Sequence, residues 1–134
     1  MKFNTIPEII KDLRKGKMVI VVDDEDRENE GDLIMLAEHA TTEKTAFIVR
    51  HTTGILCVAI TAEHAYRLRL PYMVEQNQDS RKTAFTVSVD LAEGITTGVS
   101  AQERTATIRA LGSPTSRDTD FIRPGHIFPL IAHK

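Results

Sequence analysis

Apolar residues recur at two periods along the sequence, and the two periods alternate. Ile6, Ile9, Ile10 and Leu13 fall three and four apart, the spacing of one helical face. Thr5-x-x-Glu8 ahead of them is a capping box, with Pro7 in the first turn and Gly16 as a stop. Met18–Val22 reads as a strand, Leu33–Ala37 as a second, and Thr42–Arg50 as a helix. Ile55–Ile60 is a buried-type strand, and Thr61 caps a short helix that Pro71 ends just past Leu70. Val74–Thr83 is polar and predicts a mobile loop, followed by an alternating strand over Phe85–Val89. A second capping box, Ser100-x-x-Glu103, opens a helix to Leu111. Gly112–Arg123 reads as loop, and Ile127–Ile131 as a final strand interrupted by Pro129.

Strands alternating with helices predict an α+β fold, a compact layered domain with a mixed β-sheet flanked by helices. The step from Val22 to Leu33 is too short for a helical crossover, so those two strands are expected to be antiparallel. At 134 residues the protein is read as a single domain, residues 1–134. No apolar run approaches the roughly 20 residues that a membrane helix needs. The N-terminal residues lack the apolar stretch of a secretion signal. One cysteine, Cys57, allows no internal disulfide, so a cytoplasmic setting is expected.

Charge changes the picture at one place. Asp23–Asp32 reads DDEDRENEGD: seven carboxylates opposed by Arg27 alone. The net charge of the whole protein is only −2, so the remainder is net basic around one acidic focus. Such a cluster repels itself unless something positive sits there. The candidates are a divalent cation, a substrate carrying its own metal, or basic groups from elsewhere in the fold or from a second subunit. With a pI near 6.2 and no clustered basic face, a nucleic-acid partner is not expected. Glu28 and Glu30 lead into Gly31-Asp32, a hard-oxygen donor set of the kind Mg2+ takes. Asp26-x-Glu28-x-Glu30-Gly31 matches half of a calcium EF-hand loop, but Ala37 stands at its twelfth position and strand-like sequence flanks it.

Three further features carry chemistry. Arg123-Pro124-Gly125-His126 predicts a tight turn that presents His126 by backbone geometry, an imidazole able to act as acid or base near neutral pH. Thr96-Thr97-Gly98-Val99-Ser100 offers hydroxyls and a helix start, which suits either a phosphate or an ordinary cap. Cys57 lies inside an apolar strand and is expected to be a buried structural thiol. His39, His51, His64 and His133 have no such setting and read as structural.

Taken together, DDEDRENEGDL, RHTTGILCVAIT, TAFTVSVD, AEGITTGVSAQER and RPGHIFPL resemble, in order, 3,4-dihydroxy-2-butanone-4-phosphate synthase of riboflavin biosynthesis. The resemblance covers essentially all of the sequence. It implies a mixed-sheet αβ domain, a homodimer with active sites near the subunit interface, and a lyase that converts ribulose 5-phosphate to the four-carbon phosphate and formate with Mg2+ or Mn2+. By the same resemblance Glu28 is the carboxylate metal ligand and His126 the essential acid/base. Arg27 and Asp32 contact substrate, Asp32 as a proton acceptor, and Cys57 and Thr97 lie close to it. The family is expected to continue past Lys134 with an Arg-x-Gly-His-Thr motif and a later catalytic Glu, so this sequence is expected to be shortened at its C-terminus. The alternatives are a non-catalytic relative that still binds metal or sugar phosphate or pairs with a full-length subunit, and a fragment of a bifunctional protein with GTP cyclohydrolase II.

Overall fold

Each main helix begins at a hydroxyl residue that satisfies its first free amides. The capping box at Thr5 and Glu8 starts α1, Ile6–Arg14. Thr41 Oγ1 accepts from Lys44 N–H at the start of α2, Thr42–His51. Thr61 does the same for His64 at α3, Ala62–Arg67, and Ser100 for Glu103 at α4, Ala101–Gly112. These local bonds replace the intrahelical partners that a first turn lacks. The computed structural model describes residues 3–133.

The strands form two sheets. β1, Val19–Val22, pairs antiparallel with β2, Gly31–Ile34, with Val22 opposite Gly31. This hairpin holds the acidic loop at its tip, as the short connection required. The second sheet has β5, Phe121–Ile131, at its centre. β3, Cys57–Ile60, runs parallel to it on one side, and β4, Val89–Leu91, antiparallel on the other. The mixed αβ architecture expected from the alternation is therefore present.

The core lies between this sheet and α3 and α4. Leu68, Leu111, Ile127 and Val89 are fully buried there, with Val58, Ile60, Ile108 and Phe121 around them. α4 also packs on α2. Outside that core much apolar surface stays open. Ile20, Val21, Val22 and Ile34 of the hairpin are exposed, and α1 buries no residue, although Ile6 to Leu13 form its expected helical stripe.

Several boundaries differ from the sequence expectation. The second strand starts two residues early, at Gly31, because closure of the acidic loop sets its register, and Ala37–His39 is a 3-10 turn. α3 stops at Arg67, and Arg69 takes φ +51°, so the left-handed residue and not Pro71 makes the break. Phe85–Val89 is not a regular strand. Phe85 and Thr86 make single bridges to Leu130 and Tyr72, and the regular ladder runs only over Val89–Leu91. Val74–Thr83 has no regular element, yet it is braced by its own side chains. Thr83 N–H donates to Asp79 at 2.9 Å, and Asn77 Nδ2 donates to Thr83 O at 2.9 Å.

The largest correction concerns Arg123–His126. It is not a turn between elements but a bulge inside β5. Val89 pairs with Ile127 while the next residue, Asp90, pairs with Ile122. The four intervening residues of β5 have no partner across β4, so the strand is long enough to contain them and they are pushed out of the ladder.

Candidate functional site

Gly125 makes the bulge possible. A Cβ there would sit 2.0 Å from Val89 C and 2.2 Å from Asp90 N, so only glycine fits against the β4 backbone. Gly125 N–H donates to Ser88 Oγ at 3.1 Å. The next residue is pinned twice by one carboxylate. Asp90 Oδ1 accepts from His126 N–H at 2.8 Å, and Asp90 Oδ2 lies 2.7 Å from His126 Nδ1. Asp90 is 4% exposed and His126 41%. A carboxylate accepts, so Nδ1 carries the proton toward Asp90, which leaves Nε2 as the nitrogen able to take or give a proton.

Arg123, which begins the bulge, is a structural brace. Its guanidinium donates to Leu68 O at 2.7 Å and to Phe121 O at 2.9 Å.

The loop bearing Thr97 closes over the other side of Asp90. Gly98, at φ +80°, comes so near that a Cβ would lie 2.2 Å from Asp90 Oδ2. Glu103 anchors this loop. It accepts from Thr96 N–H, from Thr96 Oγ1 at 2.8 Å and from Ser100 Oγ at 3.1 Å. The Thr96 N–H bond foremost, then the Thr96 hydroxyl, pulls its carboxyl down to about 2. Of the two readings left open for Thr96–Ser100, the cap is the one built here, because Glu103 takes the Thr96 and Ser100 amides that a phosphate would use.

The acidic loop is ordered by Asp23. Its carboxylate accepts from Glu30 N–H at 2.9 Å, Glu28 N–H at 3.0 Å and Arg27 NH1 at 2.9 Å. Those bonds, the Glu30 amide first, hold Asp23 below the usual carboxylate range. Asn29 takes φ +52° to let the backbone turn back. Glu28 faces two guanidinium groups, Arg81 Nε at 3.3 Å and Arg27 NH1 at 3.5 Å. Of the possibilities for countering the acidic focus, basic groups from elsewhere in the fold are therefore realised at Glu28.

Cys57 joins the two halves. On β3 it pairs with Phe128 of β5, two residues beyond His126. It is also near enough to Asp32 for that carboxylate to raise its pKa, after partial burial as the larger cause. Cys57 is exposed, not the buried structural thiol expected, because its strand turns that position away from the core. The raised pKa keeps it a neutral thiol and a poor nucleophile. Cys57 is thus linked to Asp32 and, through the β3–β5 ladder, to the strand that carries His126, while the loop of Thr97 reaches Asp90 through Gly98.

The model of the family described as 3,4-dihydroxy-2-butanone 4-phosphate synthase matches residues 7–134. The protein belongs to that family. It is 52% identical over 132 residues to a 3,4-dihydroxy-2-butanone 4-phosphate synthase of Pseudomonas aeruginosa, spanning 98% of this chain and 36% of that protein. It is 62% identical over 130 residues to a probable bifunctional riboflavin biosynthesis protein, chloroplastic, of Oryza sativa subsp. japonica, spanning 96% of this chain and 24% of the rice protein. A crystal structure of a 3,4-dihydroxy-2-butanone 4-phosphate synthase in complex with two magnesium ions superposes with a TM-score of 0.95 at 48% identity. That match covers 98% of this chain and 61% of the other. The sequence therefore spans about a quarter to a third of the length of these curated relatives of the synthase family.

Does a synthase-type cation fit the residues present? The donor chemistry fits, since the loop offers seven carboxylates, the ligands a hard divalent ion prefers. Glu28, the carboxylate ligand that the resemblance implied, is paired with Arg81 and Arg27 in this structure. Among the described residues no three His, Cys, Asp or Glu side chains converge on a point.

Sequence reasoning missed Asp90 and Arg81, and it saw Gly98 and Glu103 only as parts of a helix start. A carboxylate ending the alternating run Thr86-Val-Ser-Val-Asp90 was a usable signal, because an acid continuing a core strand needs a partner. Arg81, across a loop from Glu28, left none.

Proposed function

We propose that this protein performs the reaction of its family, converting ribulose 5-phosphate to 3,4-dihydroxy-2-butanone 4-phosphate and formate with a divalent cation. The observation that carries this is the His126–Asp90 pair, on a strand whose neighbour β3 bears Cys57 beside Asp32. In this reading His126 Nε2 takes and returns protons while Asp90 holds the ring. Asp32 accepts a proton from a substrate hydroxyl. Arg27 faces the anionic substrate, and Thr97 and Cys57 border it with neutral side chains. Glu28 supplies a carboxylate to the cation, Mg2+ or Mn2+, which contributes positive charge where substrate oxygens turn negative.

The same reading takes residues 1–134 as one family domain, working as a homodimer in the cytoplasm. Support for self-association is the open apolar surface of Ile20, Val21, Val22 and Ile34. For a cytoplasmic setting it is the single cysteine. No helix among the described residues is long and apolar enough to cross a membrane.

One observation favours a second reading, a non-catalytic relative that binds cation or sugar phosphate. Among the described residues no three His, Cys, Asp or Glu side chains converge, and Glu28 is countered by two arginines. Formate release from ribulose 5-phosphate with Mg2+ separates the two. Turnover that His126→Ala and Glu28→Ala both abolish supports the lyase. Its absence, with sugar-phosphate binding retained, supports the second reading.

A further inference from the structure

Arg81 is 54 residues from Arg27 in sequence, yet its guanidinium closes on the acidic loop at two points. Its Nε lies 3.3 Å from Glu28 Oε1, and its NH2 donates to the Arg27 carbonyl. The segment that presents it is cross-braced by its own hydrogen bonds. Lys82 N–H donates to Asp79 O at 3.1 Å, and Asp79 Oδ2 accepts from Thr83 N–H at 2.9 Å. Lys82 adopts φ +56°, which turns the backbone behind Arg81. One guanidinium thus grips both a backbone oxygen and a carboxylate, a grip that a point-charge ammonium cannot reproduce.

We propose that Arg81 is a positioning residue that clasps the acidic loop and occupies Glu28 until a divalent cation displaces it. The proposal rests on the reading of Glu28 as a cation ligand. A carboxylate held by two guanidinium groups cannot offer the same oxygens to a metal, and a guanidinium beside a bound cation is repelled by it. Cation binding therefore exchanges Arg81 for the metal at Glu28. The exchange frees Arg81 beside the acidic loop, where an anionic substrate is the remaining partner for its charge. The ion pair is half-exposed, with Arg81 and Glu28 side chains at 40% and 37%, so its opening is within reach of an ordinary cation affinity.

The test uses Mn2+ as the probe, followed by electron paramagnetic resonance, on the 134-residue protein and its Arg81→Gln and Glu28→Gln variants. Amide hydrogen exchange over residues 25–30 is measured on the same proteins without cation. Arg81→Gln is expected to tighten Mn2+ binding about two- to fivefold, the worth of an exposed ion pair, and to speed exchange in the loop. Unchanged or weaker Mn2+ binding by Arg81→Gln, with Glu28→Gln clearly impaired, overturns the clasp and leaves the Glu28 reading intact. Tighter binding with no change in loop exchange also overturns it, since Arg81 then acts only as a distant charge. Wild-type Mn2+ affinity in Glu28→Gln, or no Mn2+ binding by any of the three proteins, overturns the Glu28 reading itself.

Discussion

Gly98 rests on Asp90 so closely that the smallest side chain would place a carbon 2.2 Å from Oδ2. The same carboxylate oxygen holds His126 Nδ1 at 2.7 Å. A loop glycine and a strand carboxylate therefore share control of one imidazole.

Gly98→Ala should lose both features. The residue sits at φ +80°, and its new methyl must push Asp90 aside. A loss of about 1–3 kcal/mol is expected from the strained backbone alone, read by urea unfolding. The His126 ring resonances should shift in the same variant.

Asp90→Asn tests the pairing without changing its shape. The amide oxygen can still accept from His126 N–H, while the amide nitrogen then faces Nδ1 and donates to it. The ring proton should move to Nε2, giving the opposite tautomer in 15N NMR. Under the proposed reaction kcat should fall at least about 10²-fold, the usual worth of a positioned acid/base, with KM little altered. An unchanged tautomer would refute the assigned geometry.

Glu103 predicts an acid-dependent loosening of the Thr96–Ser100 loop. Its folded carboxyl is lowered from 4.5 to about 2, foremost by the Thr96 N–H bond. A depressed carboxylate stabilises the fold above its unfolded value. That contribution fades as pH falls from 4.5 through about 2. Glu103→Gln should therefore be less stable than the parent at neutral pH, and the gap should close progressively across that window. A gap independent of pH would show that the charge is not what Thr96 recognises.

Gly125→Ala should be the most damaging single methyl in the fold. Its Cβ would meet backbone atoms of Val89 at 2.0 and 2.3 Å, which cannot swing away as the end of a flexible side group does. Destabilisation at or above about 3 kcal/mol, the upper end of overpacking, is expected in urea unfolding. The bulge would have to leave β4, and His126 would lose Asp90 with it.

How the sequence divides from the structure can be argued from these residues. Thr5, Thr41, Thr61 and Ser100 start helices through bonds to residues three positions on, and the alternation of helix and strand periods announces the αβ class. Such features are local, and they travel with the residues that bear them wherever those residues fold. The acidic run Asp23–Asp32 and the group Arg123–His126 were legible for the same reason, as unusual residues side by side. What those groups meet is not local. Asp90 reaches His126 across 36 residues, and Arg81 reaches Arg27 across 54. Neither approach leaves a periodic mark, because each depends on where two strands or two loops happen to be packed. Arg123–His126 read as a turn because Pro and Gly favour one. Only the ladder between β4 and β5 decided that these residues bulge from a strand, since Val89 and Asp90 pair with partners on opposite sides of them. By itself the sequence determined the αβ class, the helix starts and the local groups that are candidates for chemistry. The tertiary structure decided which nitrogen of His126 is free and which charge answers Glu28, because hydrogen bonds and ion pairs follow distance in space.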